Sequence, residues 1–344
     1  MNEERLRVGI VGTGWVAGEH IAAWNKNPRA EVVALCSRTM AGAQEKAKEL
    51  GLDLPCFTSM EKMIQAMHLD AVSLCSPNHL HCEQALLAAE NRLHIVLEKP
   101  VALSLPELRR IEKAVKKSKV KTITGFVLRW NPLFQIIRSM LDDHAVGELF
   151  YGEVDYYHGI GPWYKQFSWN VKRKVGGSSL LSAGCHALDG LMWFMAEDVQ
   201  EVTALSTKSK APEFKPYQYD PCQVTILRFK NGKVGKVASS IDCKMPYFFN
   251  ILLLGSAGTI RNNQVWSHKF DGQTKWAEIP TILPDSGDVN HHPFQGELDE
   301  FISAILDGGK ISTGLDWTVK VHEVIFAADQ SARTGKPVKL PLVV

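Results

Sequence analysis

The sequence predicts two domains: an α/β, doubly wound parallel sheet over residues 1–125, then an α+β domain over residues 126–344 with a largely antiparallel open sheet. Three observations carry this expectation. Short apolar strands alternate with amphipathic helices through the first 125 residues, the pattern of a sheet covered on both faces. A glycine turn, Gly12-Thr13-Gly14, separates the first strand from the first helix. Beyond residue 126 the spacing changes to that of hairpins. A chain of 344 residues is also too long for one ordinary core.

In the first domain, residues 7–12 form a β-rich apolar run ending in glycine, and a helix follows over 15–27 with Pro28 beyond its end. The run 31–37 is the next strand, and 41–50 a helix stopped by Gly51. Strands at 71–76, 94–99 and 121–126 then alternate with helices at 79–90 and 104–118. In the second domain, Arg129-Trp130-Asn131-Pro132 opens a helix running to 142, and a strand follows at 148–157. Later strands fall at 199–207, 222–229, 233–242, 248–254 and 258–261, with turns such as Lys230-Asn231-Gly232-Lys233 between them. Gly255-Ser256-Ala257-Gly258 links two strands and lacks a following Lys-Ser/Thr, so it reads as a turn, not a phosphate loop. Closing helices at 294–306 and 319–334 flank Asp307-Gly308-Gly309.

Composition narrows the function classes. A net charge of +2 lacks the basic excess of a dedicated nucleic-acid binder. No run reaches the roughly 18 apolar residues of a membrane span. The polar start, Met1-Asn2-Glu3-Glu4-Arg5, carries no signal-peptide pattern, so a cytoplasmic location is expected. The seven cysteines are scattered and form no C-x-x-C, which argues against a disulfide framework.

The loop Gly12-Thr13-Gly14-Trp15-Val16-Ala17 fits G-x-G-x-x-A between a strand and a helix. The first glycine permits the tight turn, the second lets backbone approach a pyrophosphate, and the third position needs only a small residue. Dinucleotide binding follows, on a Rossmann domain. An acidic residue commonly ends the second strand to hold the ribose hydroxyls of NAD; here Ser37 and Arg38 stand there. A hydroxyl and a guanidinium suit a 2′-phosphate, a slight lean to NADP; Arg38 stacked on adenine would serve either cofactor. Ser76-Pro77-Asn78 ends one strand, where Asn78 either meets the ligand or caps the next helix. Glu98-Lys99-Pro100 ends another, and a lysine there can carry a proton. No metal site is expected: His79 and His81 point to different sides of a helix, and the adjacent His291 and His292 diverge.

In the second domain, Trp163 and Tyr164 lie in a glycine- and aromatic-rich loop and could wall a sugar ring or simply pack on the surface. Lys172-Arg173-Lys174 could meet an anionic sugar or stay solvated. His186 opens a helix with Asp189 one turn on. A cleft between two domains is the default substrate site.

With these motifs in order, the chain resembles the glucose–fructose oxidoreductase / inositol dehydrogenase / rhizopine catabolism (Gfo/Idh/MocA) family. The matches are Gly12-x-Gly14-x-x-Ala17-x-x-His20, Ser76-Pro77-Asn78-x-x-His81, Glu98-Lys99-Pro100, Gly176-Gly177-x-x-Leu180-Leu181-x-x-Gly184-x-His186-x-x-Asp189, and Pro293-Phe294-x-x-Glu297-x-x-x-Phe301. The resemblance implies NAD(P)-linked oxidation or reduction of a sugar, cyclitol or related polyol. It places Lys99 at the nicotinamide, often followed by a cis proline, and implies a homodimer or homotetramer built through the open sheet. Gly12, Gly14, Trp15, Val16, Ser37, Arg38, Ser76, Asn78, His81, Glu98 and Lys99 would then bind cofactor. One departure stands out: the family commonly has Asp four residues before the histidine, and this chain has Ser182. A hydroxyl is a weaker acceptor than a carboxylate.

The expected chemistry is reversible hydride transfer, with Lys99 moving the hydroxyl proton, His186 bonding the reacting oxygen, Asp189 orienting it or binding a neighbouring hydroxyl, and Ser182 as a substrate contact. Two rivals remain open at this point. One is a glycosidase that retains NAD(P) and works by oxidation, elimination, hydration and reduction; the other is a cofactor-binding regulator.

Overall fold

The computed structural model describes residues 5–284 and 292–343. The opening residues 1–4 and His291 of the sequence reading lie outside the described residues. The chain divides into two compact units, residues 1–125 with 293–319, and residues 126–292 with 320–344.

The first unit is built on β1 (Leu6–Val11), β2 (Ala30–Cys36), β3 (Cys56–Phe57), β4 (Ala71–Leu74), β5 (His94–Leu97) and β6 (Thr122–Thr124). They form one sheet in the order β3-β2-β1-β4-β5-β6, with every pairing parallel. Helices α1 (Trp15–Lys26), α2 (Met40–Glu49), α3 (Met60–Ala66), α4 (His81–Glu90) and α5 (Leu105–Ser118) connect them. Strands such as β4 are buried along their whole length, as a sheet covered on both faces requires. Local signals set the helix starts: Thr39, Ser59 and Ser104 each accept a backbone N–H of the first turn. The strand order reverses between β1 and β4, the switch point of a doubly wound sheet.

The second unit begins at Phe126. It contains α6 (Pro132–Asp142), β7 (Leu149–Tyr157), the short helices α7 (Phe167–Asn170) and α8 (Arg173–Gly176), and α9 (Cys185–Met195). Seven strands follow: β8 (Val199–Thr207), β9 (Cys222–Phe229), β10 (Val234–Ser240), β11 (Phe248–Gly255), β12 (Gly258–Arg261), β13 (Gln264–Ser267) and β14 (Ala277–Glu278). With β15 (Val338–Lys339) they make a nine-stranded sheet, β14-β13-β12-β11-β7-β10-β9-β8-β15. Only β10 with β7 pairs in parallel; the rest are antiparallel. On one face Phe134 packs tilted on Phe194 at 5.3 Å and edge to ring on Phe249 at 6.2 Å. On the other, Leu205, Val224 and Ile226 remain 71%, 41% and 42% exposed.

Two late helices complete the chain, α10 (Phe294–Leu306) and α11 (Leu315–Thr334). The sequence reading placed 293–319 with the second domain; its contacts put it in the first unit. The cause is the apolar face of α10: Phe294 lies 5.3 Å from the His20 ring and Phe301 lies 6.3 Å from Trp24, both on α1. Asn27 donates to Asp299 at 2.7 Å beside them.

Candidate active site

In the first unit the cofactor-directed residues of the sequence reading gather just beyond the carboxyl ends of β1, β2, β4 and β5, where open α/β sheets bind ligands. Gly12 has φ +103°, and a Cβ there would lie 2.5 Å from the Cys75 carbonyl oxygen, so the turn excludes any side chain. Gly14 faces open space and is the N-cap of α1 without any side-chain cap bond. The first turn of α1 holds no acidic residue. Its backbone N–H groups and dipole therefore fit a pyrophosphate, and Trp15 and Val16 lie in that turn.

Ser37 Oγ sits 3.0 Å from Thr13 Oγ1, tying the end of β2 to the glycine turn, and Arg38 beside it is exposed. Asn78 is the first residue of a 3-10 turn and does not cap α4. Ser76 Oγ donates to Gln84 at 2.5 Å. His81 is buried, with Nδ1 2.8 Å from the Pro100 carbonyl and Nε2 2.8 Å from the Ser76 carbonyl. Both partners only accept, so the ring would need two protons to satisfy both. Burial opposes that charge and leaves its pKa lowered despite the two carbonyls. The ring thus links the turn after β4 to the turn after β5.

Glu98 and Lys99 form that second turn, and the Lys99–Pro100 peptide is cis. The Glu98 carboxylate is 8% exposed; Oε1 accepts from His20 Nε2 at 3.0 Å, and Oε2 accepts the Lys99 backbone N–H at 3.2 Å. Burial pushes this carboxyl up, but the His20 bond and charge, with Lys99 and His81, outweigh it and hold it below its usual range. On His20 burial works downward, and contact with Cys75 and Glu98 raises the ring well above its ordinary value. His20 Nδ1 continues to Ser73 Oγ at 3.3 Å, which also accepts from Trp24 at 2.8 Å. Lys99 itself is half-buried at the strand end.

In the second unit, His186 stands in the first turn of α9, which is entered through a π-helical turn, Leu180–Gly184. Gly184 makes that entry possible, since a Cβ would lie 2.5 Å from Ser239 on β10. His186 is 5% exposed, with its ring 6.4 Å from Phe126 and 6.3 Å from His292. From His292 a ring cluster continues through Tyr247 at 6.4 Å and His158 at 5.2 Å to Tyr164 at 5.5 Å. Tyr164 thus joins the rings that reach His186. Trp163 is 64% exposed and packs on Phe214, its indole N–H donating to Gly159 at 3.2 Å.

The three other expected substrate residues lie on α9, in the π-helical turn and at the head of α8. Asp189 is 1% exposed and takes both oxygens to Arg129, at 2.9 and 2.8 Å. Ser182 donates to the Ser178 carbonyl at 2.9 Å within its own turn. Lys172 is exposed at the head of α8. The sequence reading missed Arg129, His158, Tyr247 and the role of His20. Only His20 had a signal, three residues beyond Ala17 in the glycine motif; the others converge from separate elements.

Two family matches cover most of the chain. Residues 6–126 match the oxidoreductase family with an NAD-binding Rossmann fold, and residues 134–261 match the Gfo/Idh/MocA C-terminal domain. The chain belongs to the Gfo/Idh/MocA family. An uncharacterized oxidoreductase of Synechocystis is 30% identical over 190 residues, 55% of this chain and 51% of its own length. The chain thus spans about half of that relative. The scyllo-inositol 2-dehydrogenase (NAD(+)) of Bacillus subtilis is 25% identical over 98% of this chain and 97% of its own. An oxidoreductase domain protein of Kribbella flavida superposes with a TM-score of 0.87 at 20% identity, over 98% of this chain and all of the other. This Gfo/Idh/MocA member is an oxidoreductase with an NAD(P)-binding Rossmann fold. Among the described residues no group of three or more His, Cys, Asp or Glu could hold a metal ion, and no helix is long and apolar enough to cross a membrane.

Proposed function

We propose that the protein exchanges hydride between nicotinamide and a hydroxyl-bearing carbon of a sugar, cyclitol or glycoside. The observation that carries the reading is Lys99, half-buried at the carboxyl end of β5 behind a Glu98 already paired to His20. The full-length likeness to a scyllo-inositol dehydrogenase supports the substrate class.

The nicotinamide, when bound, supplies the hydride acceptor or donor. Gly12, Gly14, Trp15 and Val16 would hold the pyrophosphate through backbone, and Ser76, Asn78, His81 and Glu98 would line the sheet edge beside the nicotinamide. Lys99 takes the hydroxyl proton during oxidation and returns it during reduction. His186 hydrogen-bonds the reacting oxygen. Trp163 and Tyr164 offer flat faces to a sugar ring, and Ser182 and Lys172 offer a hydroxyl and a cation to its substituents. Asp189 serves through Arg129, fixing the helix that carries His186.

Ser37 and the exposed Arg38 favour NADP slightly, against the NAD(+) in that relative's name. The exposed Leu205, Val224 and Ile226 support a homodimer or homotetramer through the open sheet face. Seven free cysteines suit a reducing compartment, hence the cytoplasm.

The test is incubation with NAD+ or NADP+ and a panel of cyclitols, free sugars and aryl glycosides. Net NAD(P)H accumulation supports the reading. Aglycone release without net cofactor change replaces it with the cofactor-retaining glycosidase, and tight binding without turnover replaces it with the regulator.

A further inference from the structure

The interior of the first unit holds one carboxyl that the chemistry above does not use. Glu297 on α10 is fully buried, and neither oxygen has a hydrogen-bond partner among the described residues. Its position is enforced. Phe294, three residues before it, packs on His20, and Phe301, four residues after it, packs on Trp24. All three share one helix face, so Glu297 is pressed toward α1 between two aromatic anchors.

The groups that act on it come from every neighbouring element. They are His20 on α1, Cys75 just after β4, Glu98 just after β5 and Glu300 on its own helix. Asp299, also on α10, is bonded to Gln295 and Asn27, and Lys121 ahead of β6 is bonded to the Ala304 carbonyl. His20 Nε2 lies 3.0 Å from Glu98 Oε1, and the ring is raised well above its ordinary value. Burial pushes the Cys75 thiol up. Burial also pushes Glu297 up to about 8, with Glu98 and Glu300 adding to the rise and His20 opposing it. Glu297 is therefore a buried carboxyl of this cluster whose charge changes just above neutral pH.

We infer that Glu297 is an electrostatic regulator of the bound nicotinamide, its ionisation favouring the oxidised, cationic ring over the reduced, neutral one. Cys75 and Glu98 stand at the carboxyl ends of β4 and β5, the edge where such sheets hold their ligand. A negative charge placed behind that edge in a poorly solvated interior attracts a cation and leaves a neutral ring unaffected. Glu297 is fully buried and acts through the charge it places, as a positioning residue. The inference needs dinucleotide binding and is independent of which alcohol is oxidised.

Two measurements test it without substrate. The first is the ratio of the NADH and NAD+ dissociation constants between about pH 6 and about pH 10, in the wild-type protein and in Glu297→Gln. The wild-type ratio should rise about fivefold or more as Glu297 ionises, and the variant's ratio should change clearly less. Equal pH dependence in both proteins overturns the inference. The second needs no variant: the infrared carboxyl band of Glu297 is titrated in wild-type protein carrying labelled glutamate. By linkage, bound NAD+ must lower the midpoint and bound NADH must not. A midpoint that ignores which form is bound overturns the inference while leaving dinucleotide binding intact. A wild-type protein that binds neither form overturns both.

Discussion

Arg129 holds Asp189 through two parallel bonds of 2.9 and 2.8 Å, with both side chains almost fully buried. The guanidinium also lies 4.7 Å from the Trp193 ring, so it is enclosed on more than one side. A residue that reads in sequence as a polar partner of His186 is thus an interior clasp on α9. Removing one member of a buried pair strands the other, at a cost of about 3–5 kcal/mol. Asp189→Ala should lose that much stability in urea unfolding. A loss within about 0.5 kcal/mol, the range of surface changes, would show the pair to be unimportant for the fold.

Gly12→Ala should damage both folding and cofactor binding. The position combines φ +103° with a Cβ contact of 2.5 Å to backbone, and neither relaxes without moving the turn. A loss of about 2–4 kcal/mol with severely weakened NAD(H) binding by calorimetry is expected. Wild-type affinity in the variant would contradict the placement of pyrophosphate at this turn.

Glu297 makes stability fall as pH rises. Its folded value is raised from 4.5 to about 8, so the folded state holds the proton more tightly than the unfolded chain. The resulting stabilisation is fully present below pH 4.5 and is lost as pH climbs through about 8. Across that window the change is on the order of 5 kcal/mol. Glu297→Gln should lose this slope and gain on wild type toward alkaline pH, measured as denaturant midpoints at several pH values. Parallel stability curves would show that Glu297 is already ionised when folded.

Arg38→Ala should reduce NADPH affinity about tenfold and NADH affinity by about twofold or less, if the guanidinium meets a 2′-phosphate. Fluorescence titration with each reduced cofactor decides this. Equal losses for both would assign Arg38 to the adenine face.

The doubly wound sheet was legible because most strands are short apolar runs bounded by turn residues, and helices α1, α2, α4 and α5 are long enough to show periodicity. The two-residue β3 and the single-sided α3 carry too little pattern to find by periodicity. The same holds for β13, β14 and β15, which exist through pairing. The glycine turn and the Glu98-Lys99 turn were legible because local backbone demands select their residues. The Arg129–Asp189 clasp, the ring cluster from His186 to Tyr164 and the burial of Glu297 were not. Each joins residues far apart in the chain, and tertiary packing alone brings them together. The grouping of 293–319 with the first unit was not legible for the same reason: the apolar face of α10 is visible in sequence, but the helix it packs on is not.

The central claim is that Lys99 moves the proton while nicotinamide exchanges hydride. The direct measurement is single-turnover NAD(P)H formation by Lys99→Met beside wild type, with cofactor affinity determined on the same samples. The expected result is a fall in the hydride-transfer rate of about 10²-fold or more, the contribution of a positioned acid/base, with cofactor affinity nearly unchanged. Wild-type turnover by Lys99→Met would contradict the account.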